Sequence, residues 1–229
     1  MRQESENERE SENEREVENA GSPVLRAVAP GRLIRDDSPI VFRSEQIRMA
    51  IRSNHYDVAL EAWLRTVRTP YVSVDESRRA LVADASLKSF DFIAYSPTGA
   101  NLLIDVKGRR FPTQSASGGH CWENWATRDD LISLLQWQQV FGRGFQAVLV
   151  FAYDLMEERW QTQHAERFEF RDRTYAFYAV AADDYAAARV RRSPQWETVS
   201  LPAAEFRRVR RPLSDWLGLT GPVVLESTG

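Results

Sequence analysis

The chain has 229 residues, of which 43% are hydrophobic and 28% are charged, and its formal net charge is −3. This composition is typical of a globular chain that is long enough for one well-packed core. No apolar stretch approaches the about 18 residues of a membrane span, and Cys121 is the single cysteine. The sequence therefore predicts no membrane partner, no internal disulfide and a cytoplasmic location.

The N-terminal 18 residues, MRQESENERESENEREVE, form a low-complexity segment rich in Glu. The segment has a net charge of −5 against −3 for the whole chain, so residues 19–229 carry +2. It has no apolar periodicity and cannot bury enough surface to offset the entropy lost on ordering. We expect a disordered tail over residues 1–21 and a linker over residues 22–43. The tail either serves solubility alone or mimics nucleic acid as an autoinhibitor.

A first helix is predicted after the linker. The segment SEQIRMAIRSNHYDVALEAWLRTV repeats apolar residues every three or four positions, with Ser44 as a candidate N-cap and Pro70 as the stop. Short strands are predicted in YVSV and RALVAD. The stretches FDFIAYS and LLIDVKG are predicted as two further strands, which the turn residues SPTGAN join into a hairpin.

The second half of the chain continues this alternation of helices and strands. TRDDLISLLQWQQVFG predicts a helix with a capping box of Thr127 and Asp130 and an end at Gly142. FQAVLVFAY is typical of a strand that is buried on both faces. RFEF and TYAFYAVA predict another strand pair, and DDYAAARVRR predicts a short helix. The order predicts an α/β fold with a mixed central sheet flanked by helices.

Acidic residues and a rare lysine fall together in this pattern. Only Lys88 and Lys107 are lysines among 30 basic residues. Asp105 and Lys107 are two apart on a strand and share a face, Asp91 lies on the preceding strand, and Glu61 lies on the first helix. Converging carboxylates suit Mg²⁺ or Mn²⁺, and a lysine beside the metal can orient or deprotonate a water. Phosphodiester hydrolysis is one interpretation; a cross-strand charged face with a solvated Glu61 is the other.

The order of Glu on a helix, Asp on a strand and Asp-x-Lys on the next strand resembles the PD-(D/E)XK nuclease superfamily, which includes restriction endonucleases and Holliday-junction resolvases. HYDVALE, residues 55–61, is similar to the signature of the bacterial HYExAFE family, with Asp57 in place of Glu and Leu60 in place of Phe. The resemblance covers residues 44–217, with 218–229 left as a C-terminal tail, and implies a restriction-endonuclease-like core. No Pro precedes Asp91, which departs from the pattern. The resemblance implies metal ligands at Glu61, Asp91 and Asp105 and a catalytic lysine at Lys107.

Neighbouring residues are predicted to contact nucleic acid, each with surface exposure or ordinary packing as the alternative. They are Lys88, Arg109, Arg110, His55, Tyr56 and Gln136. The loop FPTQSASGGHCWENW, residues 111–125, either closes over a substrate through its tryptophans or is a polar insertion. Arginines between positions 189 and 211 form either a surface that tracks phosphates or a solvated basic face.

These patterns together predict a metal-dependent nuclease that hydrolyses DNA, with Lys107 assisting the attacking water and with Mg²⁺ or Mn²⁺ as cofactor. A homodimer is among the expected assemblies. The rival interpretation is a nucleic-acid-binding or assembly module that keeps the fold without turnover.

Overall fold

The computed structural model describes residues 54–75, 79–82, 85–114, 120–161, 166–219 and 224–226. The predicted tail over residues 1–21, the predicted linker over residues 22–43 and residues 44–53 of the predicted domain lie outside this described part. All of the described residues fall in one compact unit, Arg48–Gly229.

The described residues form six helices and fifteen strands. The helices are α1 His55–Thr66, α2 Arg128–Phe141, α3 Glu158–Gln161, α4 Ala182–Ala188, α5 Ala203–Val209 and α6 Leu213–Trp216. The strands are β1 Tyr71–Ser73, β2 Arg79–Val82, β3 Ala85–Lys88, β4 Phe92–Ala94, β5 Asn101–Phe111, β6 Thr113–Gln114, β7 His120–Cys121, β8 Ala126–Thr127, β9 Phe145–Leu155, β10 Arg167–Phe170, β11 Arg173–Ala181, β12 Val190–Ser193, β13 Thr198–Ser200, β14 Arg211–Pro212 and β15 Val224–Glu226. Within these ranges, no helix is long and apolar enough to cross a membrane.

The largest sheet has the strand order β1-β4-β5-β9-β11-β10-β15, with β14 paired to β11. β5 runs antiparallel to β4 and parallel to β9, and β9 runs antiparallel to β11. A parallel pair needs a crossover connection, and here the connection between β5 and β9 contains α2. The predicted fold class, an α/β fold with a mixed central sheet flanked by helices, is confirmed.

The central strands separate two hydrophobic clusters. Leu103 and Leu149 belong to the cluster that includes Leu131 of α2. Ile104 belongs to the cluster that includes Leu60 of α1. We name the two sides of the sheet the α2 face and the α1 face. Since side chains alternate along a strand, the position of each residue in β5 fixes the face that it occupies.

The helix that carries Glu61 begins later than the sequence predicts. The structure starts α1 at His55, because Asn54 is extended, with φ −86° and ψ 115°, and acts as the N-cap. Its side chain accepts a hydrogen bond from the Tyr56 N–H at 3.1 Å, which satisfies a donor that the helix leaves unpaired. The predicted N-cap, Ser44, lies outside the described residues.

The predicted second helix is confirmed as α2, together with its capping box. The Thr127 hydroxyl accepts a hydrogen bond from the Asp130 N–H at 3.1 Å, and the Asp130 carboxylate accepts one from the Thr127 N–H at 3.2 Å. Gly142 follows the helix with φ +71°, a conformation that costs glycine little. α2 thus begins at a fixed point beside the sheet.

The sequence patterns do not anticipate eight of the strands in the described part, which are β3, β6, β7, β8, β12, β13, β14 and β15. The predicted helix in DDYAAARVRR ends at Ala188, and its last residues belong to β12. β3 pairs antiparallel with β2 and ends at Lys88. β15 pairs parallel with β10, although it lies in the segment predicted as a C-terminal tail, residues 218–229. The sheet therefore extends into the predicted tail.

Candidate active site

Asp105 and Lys107 lie on the α2 face of β5 and meet Asp130 from the first turn of α2. The Lys107 Nζ is 2.7 Å from the Asp105 Oδ2 and 2.9 Å from the Asp130 Oδ2. The side chains of Lys107, Asp105 and Asp130 are 16%, 13% and 12% exposed. Charges that are shielded from water in this way interact more strongly than charges on an open surface.

The ion pairs hold both partners in their charged forms. Burial lowers the pKa of Lys107, but the Asp105 and Asp130 carboxylates outweigh burial and raise it above its ordinary value. Burial raises the pKa of Asp130, but the Lys107 ammonium and hydrogen bonds from Lys88 and Thr127 outweigh burial and hold it well below its usual range. In this arrangement Lys107 is placed to donate hydrogen bonds and to stabilise negative charge.

Both lysines of the chain meet at the same carboxylate. The Lys88 Nζ lies 2.7 Å from the Asp130 Oδ1 and 3.8 Å from the Asp129 Oδ2. The Lys88 backbone is also tied to α2, since its N–H donates to the Ser133 Oγ at 3.1 Å and its carbonyl accepts from the Trp137 Nε1 at 2.7 Å. The Lys88 side chain is 40% exposed, so it lies where this group of charges meets solvent.

Asp91 joins this group from the strand next to β5. It directly precedes β4, its N–H donates to the Ile104 carbonyl at 2.8 Å, and its carboxylate accepts from the Val106 N–H. These two contacts lie on either side of Asp105 and place Asp91 beside it. We name the set Lys88, Asp91, Asp105, Lys107 and Asp130 the acid–lysine cluster.

Sequence reasoning missed Asp130 as a member of this cluster. The capping box with Thr127 already accounts for an acid at that position, so the pattern gave no reason to assign it a second role. The structure shows that one carboxylate has both roles, because Oδ2 accepts the Thr127 N–H and also pairs with Lys107. In the sequence, only the rarity of lysine set Lys88 and Lys107 apart, and no pattern indicated that both pair with Asp130.

The structure does not bring Glu61 to the acid–lysine cluster. α1 covers the α1 face, which is the opposite side of the sheet. The Glu61 Oε1 accepts hydrogen bonds from Arg65 at 2.6 Å and from the Tyr71 hydroxyl at 2.8 Å. Tyr71 pairs with Ala94, at the end of β4 that is farther from Asp91. Glu61 therefore lies apart from the other predicted metal ligands.

Three of the predicted nucleic-acid contacts also lie toward the α1 face. The His55 Nδ1 is 2.9 Å from the Tyr175 hydroxyl. A Cβ on Gly108 would lie 2.0 Å from the Tyr56 ring, so the ring packs directly against the backbone of β5. Burial lowers the pKa of His55 and raises the pKa of Tyr175 to about 12. Arg110 is exposed and, by alternation, shares the side of β5 that Gly108 occupies.

Arg109 is buried, and Trp122 and Trp125 of the predicted substrate loop pack against other parts of the protein. The buried Arg109 guanidinium lies 3.9 Å from the centroid of the Trp125 ring and donates to the Trp125 carbonyl. The Trp122 ring stacks on Phe111 at 3.9 Å, and the Arg210 guanidinium lies 4.3 Å from its centroid. The two indoles thus have protein partners across their faces, whereas residues 115–119 of the loop lie outside the described part.

Gln136 lies half-buried on α2. Among the hydrogen bonds and ion pairs of the described residues, none joins Gln136 to the acid–lysine cluster. Gln138, which is also on α2, forms hydrogen bonds with β9. Its Oε1 accepts from the Ala147 N–H at 2.6 Å and from Gln146 at 2.9 Å. That contact fixes the end of α2 against β9.

The carboxylate oxygens of this cluster suit a cation that also binds several waters or substrate oxygens. Within the described ranges, no group of three or more His, Cys, Asp or Glu side chains is arranged to hold a metal ion. Mg²⁺ keeps several waters in most proteins and binds through one or two carboxylates plus substrate phosphates. Asp91 and Asp105 provide two such carboxylates from adjacent strands, so they fit Mg²⁺ of this kind and do not form a closed cage with Glu61.

No family model and no curated protein matches the chain. Among solved structures, that of Hjc from the archaeal hyperthermophile Archaeoglobus fulgidus, a Holliday junction resolvase, is similar at 13% sequence identity and a TM-score of 0.42. The match covers 72% of this chain and 98% of that one. A similarity this distant assigns no role to any residue.

Proposed function

We propose that this chain is a metal-dependent nuclease that hydrolyses phosphodiester bonds of DNA at the acid–lysine cluster. The observation that carries the proposal is the ion pair of Asp105 and Lys107 at 2.7 Å, beside Asp91 on the neighbouring strand. These residue types, in this order along adjacent strands, are what the resemblance to the PD-(D/E)XK superfamily implies. Membership of the HYExAFE family, which rests on HYDVALE, stays part of the proposal.

Asp91 and Asp105 would hold Mg²⁺ or Mn²⁺. When bound, the cation supplies polarisation of a phosphoryl oxygen and activation of water. Two neighbouring carboxylates repel a phosphate in the absence of such a cation, so substrate binding and metal binding are expected to support each other. The Asp91 carboxylate is held by the Val106 N–H and the Asp105 carboxylate by the Lys107 ammonium, which limits the movement of their oxygens.

Lys107 would supply a positive charge that is already in place before the substrate arrives. Asp105 and Asp130 hold the ammonium, so little reorganisation is needed as negative charge develops on the phosphate. As a donor it orients the attacking water. An arginine would not substitute, because the guanidinium is larger and planar and cannot bring one nitrogen to both carboxylates in the same way.

Lys88 would contact the substrate at the edge of the site. Its side chain is 40% exposed, and Asp130 holds its ammonium 2.7 Å from Oδ1. A positive charge at this position, from a lysine or an arginine, is suited to a phosphate of the incoming strand. Asp130 therefore positions both lysines and is not itself proposed as a metal ligand.

A second function, nucleic-acid binding or assembly without cleavage, is favoured by one observation. Asp130 and Asp105 already neutralise Lys107, and Asp130 also pairs with Lys88. A charge network that is satisfied internally can be retained for structure alone. The two functions differ in their need for metal, since only cleavage requires Mg²⁺ or Mn²⁺.

The test is a cleavage assay with the full chain on labelled DNA and RNA, as single strands, duplexes and four-way junctions, with Mg²⁺, Mn²⁺ or EDTA. We expect wild-type protein to cut DNA only with a divalent cation. Asp105→Asn should abolish cutting and remain folded by circular dichroism, whereas Asp129→Asn, in an exposed neighbour of Asp130, should stay active. Light scattering on the same sample measures whether the active species is a homodimer. Binding of DNA without cutting under all conditions would favour the second function.

A further inference from the structure

A cleft of about 560 Å³ opens beside the first turn of α2, and three of its eight lining residues are arginines. Arg128, Arg189 and Arg191 contribute three guanidinium groups, and Glu197 contributes one acid. All three arginine side chains are exposed, so they are available to a ligand. The charge of the cleft favours an anion.

None of these three arginines forms an ion pair with an acid within the described residues, and all three line the same cleft. Five arginines elsewhere in the described part do form such pairs, with N–O distances within salt-bridge range: Arg65, Arg159, Arg173, Arg192 and Arg208. Guanidinium groups bind phosphate through paired hydrogen bonds, and groups without a carboxylate partner are available to do so.

The cleft adjoins the acid–lysine cluster through the start of α2. Arg128 is the first residue of α2 and lies two positions before Asp130, which holds Lys107. The Arg128 N–H donates to the Glu197 carbonyl at 2.9 Å, and β13 pairs with β8 through Thr198 and Thr127. Arg128 thus links the cleft to the helical turn that carries Asp130, the carboxylate that pairs with Lys107.

The shape of the basic surface points to an extended ligand. Arg191 and Arg192 are consecutive on β12, where its pairing with β13 is irregular between Arg191 and Ser193. Arg191 lines the cleft, and Arg192 lines a second cavity of about 280 Å³ together with Arg207. A mononucleotide would occupy one of these two cavities, whereas the backbone of a polynucleotide can pass along both.

We propose that the cleft of Arg128, Arg189 and Arg191 binds backbone phosphates of a DNA strand that continues into the acid–lysine cluster. The identity of the polymer rests on the proposed function, and the location of the phosphates rests on the three arginines, which have no carboxylate partner in the described part. The Arg189 guanidinium also donates to the Ala186 carbonyl. Base stacking on Trp122 and Trp125 is not part of this binding mode, because protein groups already contact both indoles.

The test compares two charge-matched triple variants of the full chain in an Asp105→Asn background, which is expected not to cut. One variant changes the cleft, with Arg128→Gln, Arg189→Gln and Arg191→Gln. The control changes three exposed arginines outside the cleft, with Arg143→Gln, Arg159→Gln and Arg208→Gln. Fluorescence anisotropy with labelled DNA gives Kd across a range of salt concentrations. We expect the cleft variant to bind at least about 10-fold more weakly and its salt slope to fall by about 2 to 3, one unit for each phosphate that the variant no longer binds.

The control variant should bind within about threefold of its parent, since scattered surface charges make no defined phosphate contact. Equal weakening of DNA binding in both triple variants, or no DNA binding by the parent, would overturn the proposal that the cleft binds DNA phosphates. Selective weakening in the cleft variant, in a chain whose wild type cuts no substrate, would support the cleft and contradict the proposed nuclease. Unchanged binding in the cleft variant, in a chain whose wild type cuts DNA, would overturn the cleft and leave the nuclease intact.

Discussion

The two faces of the central sheet carry acidic and basic side chains of similar type and arrange them differently. On the α2 face, Asp105, Lys107 and Asp130 form ion pairs with side chains that are at most 16% exposed. On the α1 face, Glu61 pairs with Arg65, whose side chain is 58% exposed, within the same helix. The first arrangement joins a strand, β5, to a distant helix, α2, and the second is largely local. Only the first creates a shielded cation beside two strand carboxylates, which is what phosphate chemistry needs.

The largest contrast between the faces is expected from Lys107. Lys107→Arg and Lys107→Ala should each lower cleavage by about 10²- to 10⁴-fold, the range that a positioned proton-transfer or charge group contributes. The reason is that a guanidinium cannot take the place of one ammonium nitrogen between two carboxylates. Single-turnover cleavage with Mg²⁺ measures the effect. Lys88→Arg is the control and should be nearly silent, and near-wild-type cleavage by Lys107→Arg would show that the position needs positive charge alone.

A large loss of stability is expected from Asp130. Asp130→Ala removes a shielded carboxylate that pairs with two lysines and caps α2, so unfolding in urea should be easier by about 2–4 kcal/mol. Asp129→Ala is the matched neighbour, with a side chain that is 49% exposed and 3.8 Å from Lys88, and should cost about 0.5 kcal/mol or less. Equal costs for the two variants would mean that the cluster does not stabilise the α2 face.

A smaller loss of stability is expected on the α1 face, where Tyr56 packs on Gly108. A Cβ at Gly108 would lie 2.0 Å from the ring, so Gly108→Ala should destabilise the fold by about 1–3 kcal/mol through overpacking. Adding Tyr56→Ala should recover part of that loss, which a double-mutant cycle in urea measures. Additive costs would show that the ring and the strand do not share this contact.

The smallest effect is expected from Glu61. Glu61→Gln keeps the shape of the side chain and removes a charge that pairs with an exposed arginine, so stability should fall by about 1 kcal/mol or less. Cleavage should stay within about threefold of wild type, because the residue lies across the sheet from the acid–lysine cluster. A loss as large as that of Lys107→Ala would place Glu61 in the site and erase the contrast between the faces.

The sequence predicts those parts of the site that depend on local periodicity. LLIDVKG alternates, so Asp105 and Lys107 fall on one face, and the capping box sets where α2 begins. The face that α1 covers depends on packing between distant segments, so the pattern around Glu61 could not reveal it. The capping box alone accounts for an acid at position 130, so the sequence gave no separate sign that Asp130 also pairs with Lys107. The partners of Trp122 and Trp125 come from strands and helices elsewhere in the chain, so their packing was equally out of reach.

Anomalous diffraction from crystals of the chain soaked in Mn²⁺ shows directly whether Asp91 and Asp105 bind a divalent cation. We expect a manganese peak about 2.1 Å from carboxylate oxygens of Asp91 and Asp105, the usual length of such metal–oxygen bonds, with Lys107 beside it and no peak at Glu61. The peak should vanish in Asp105→Asn and persist in Glu61→Gln. A manganese ion bound by Glu61, or no manganese at the acid–lysine cluster, would show that the cluster is not the metal site proposed above.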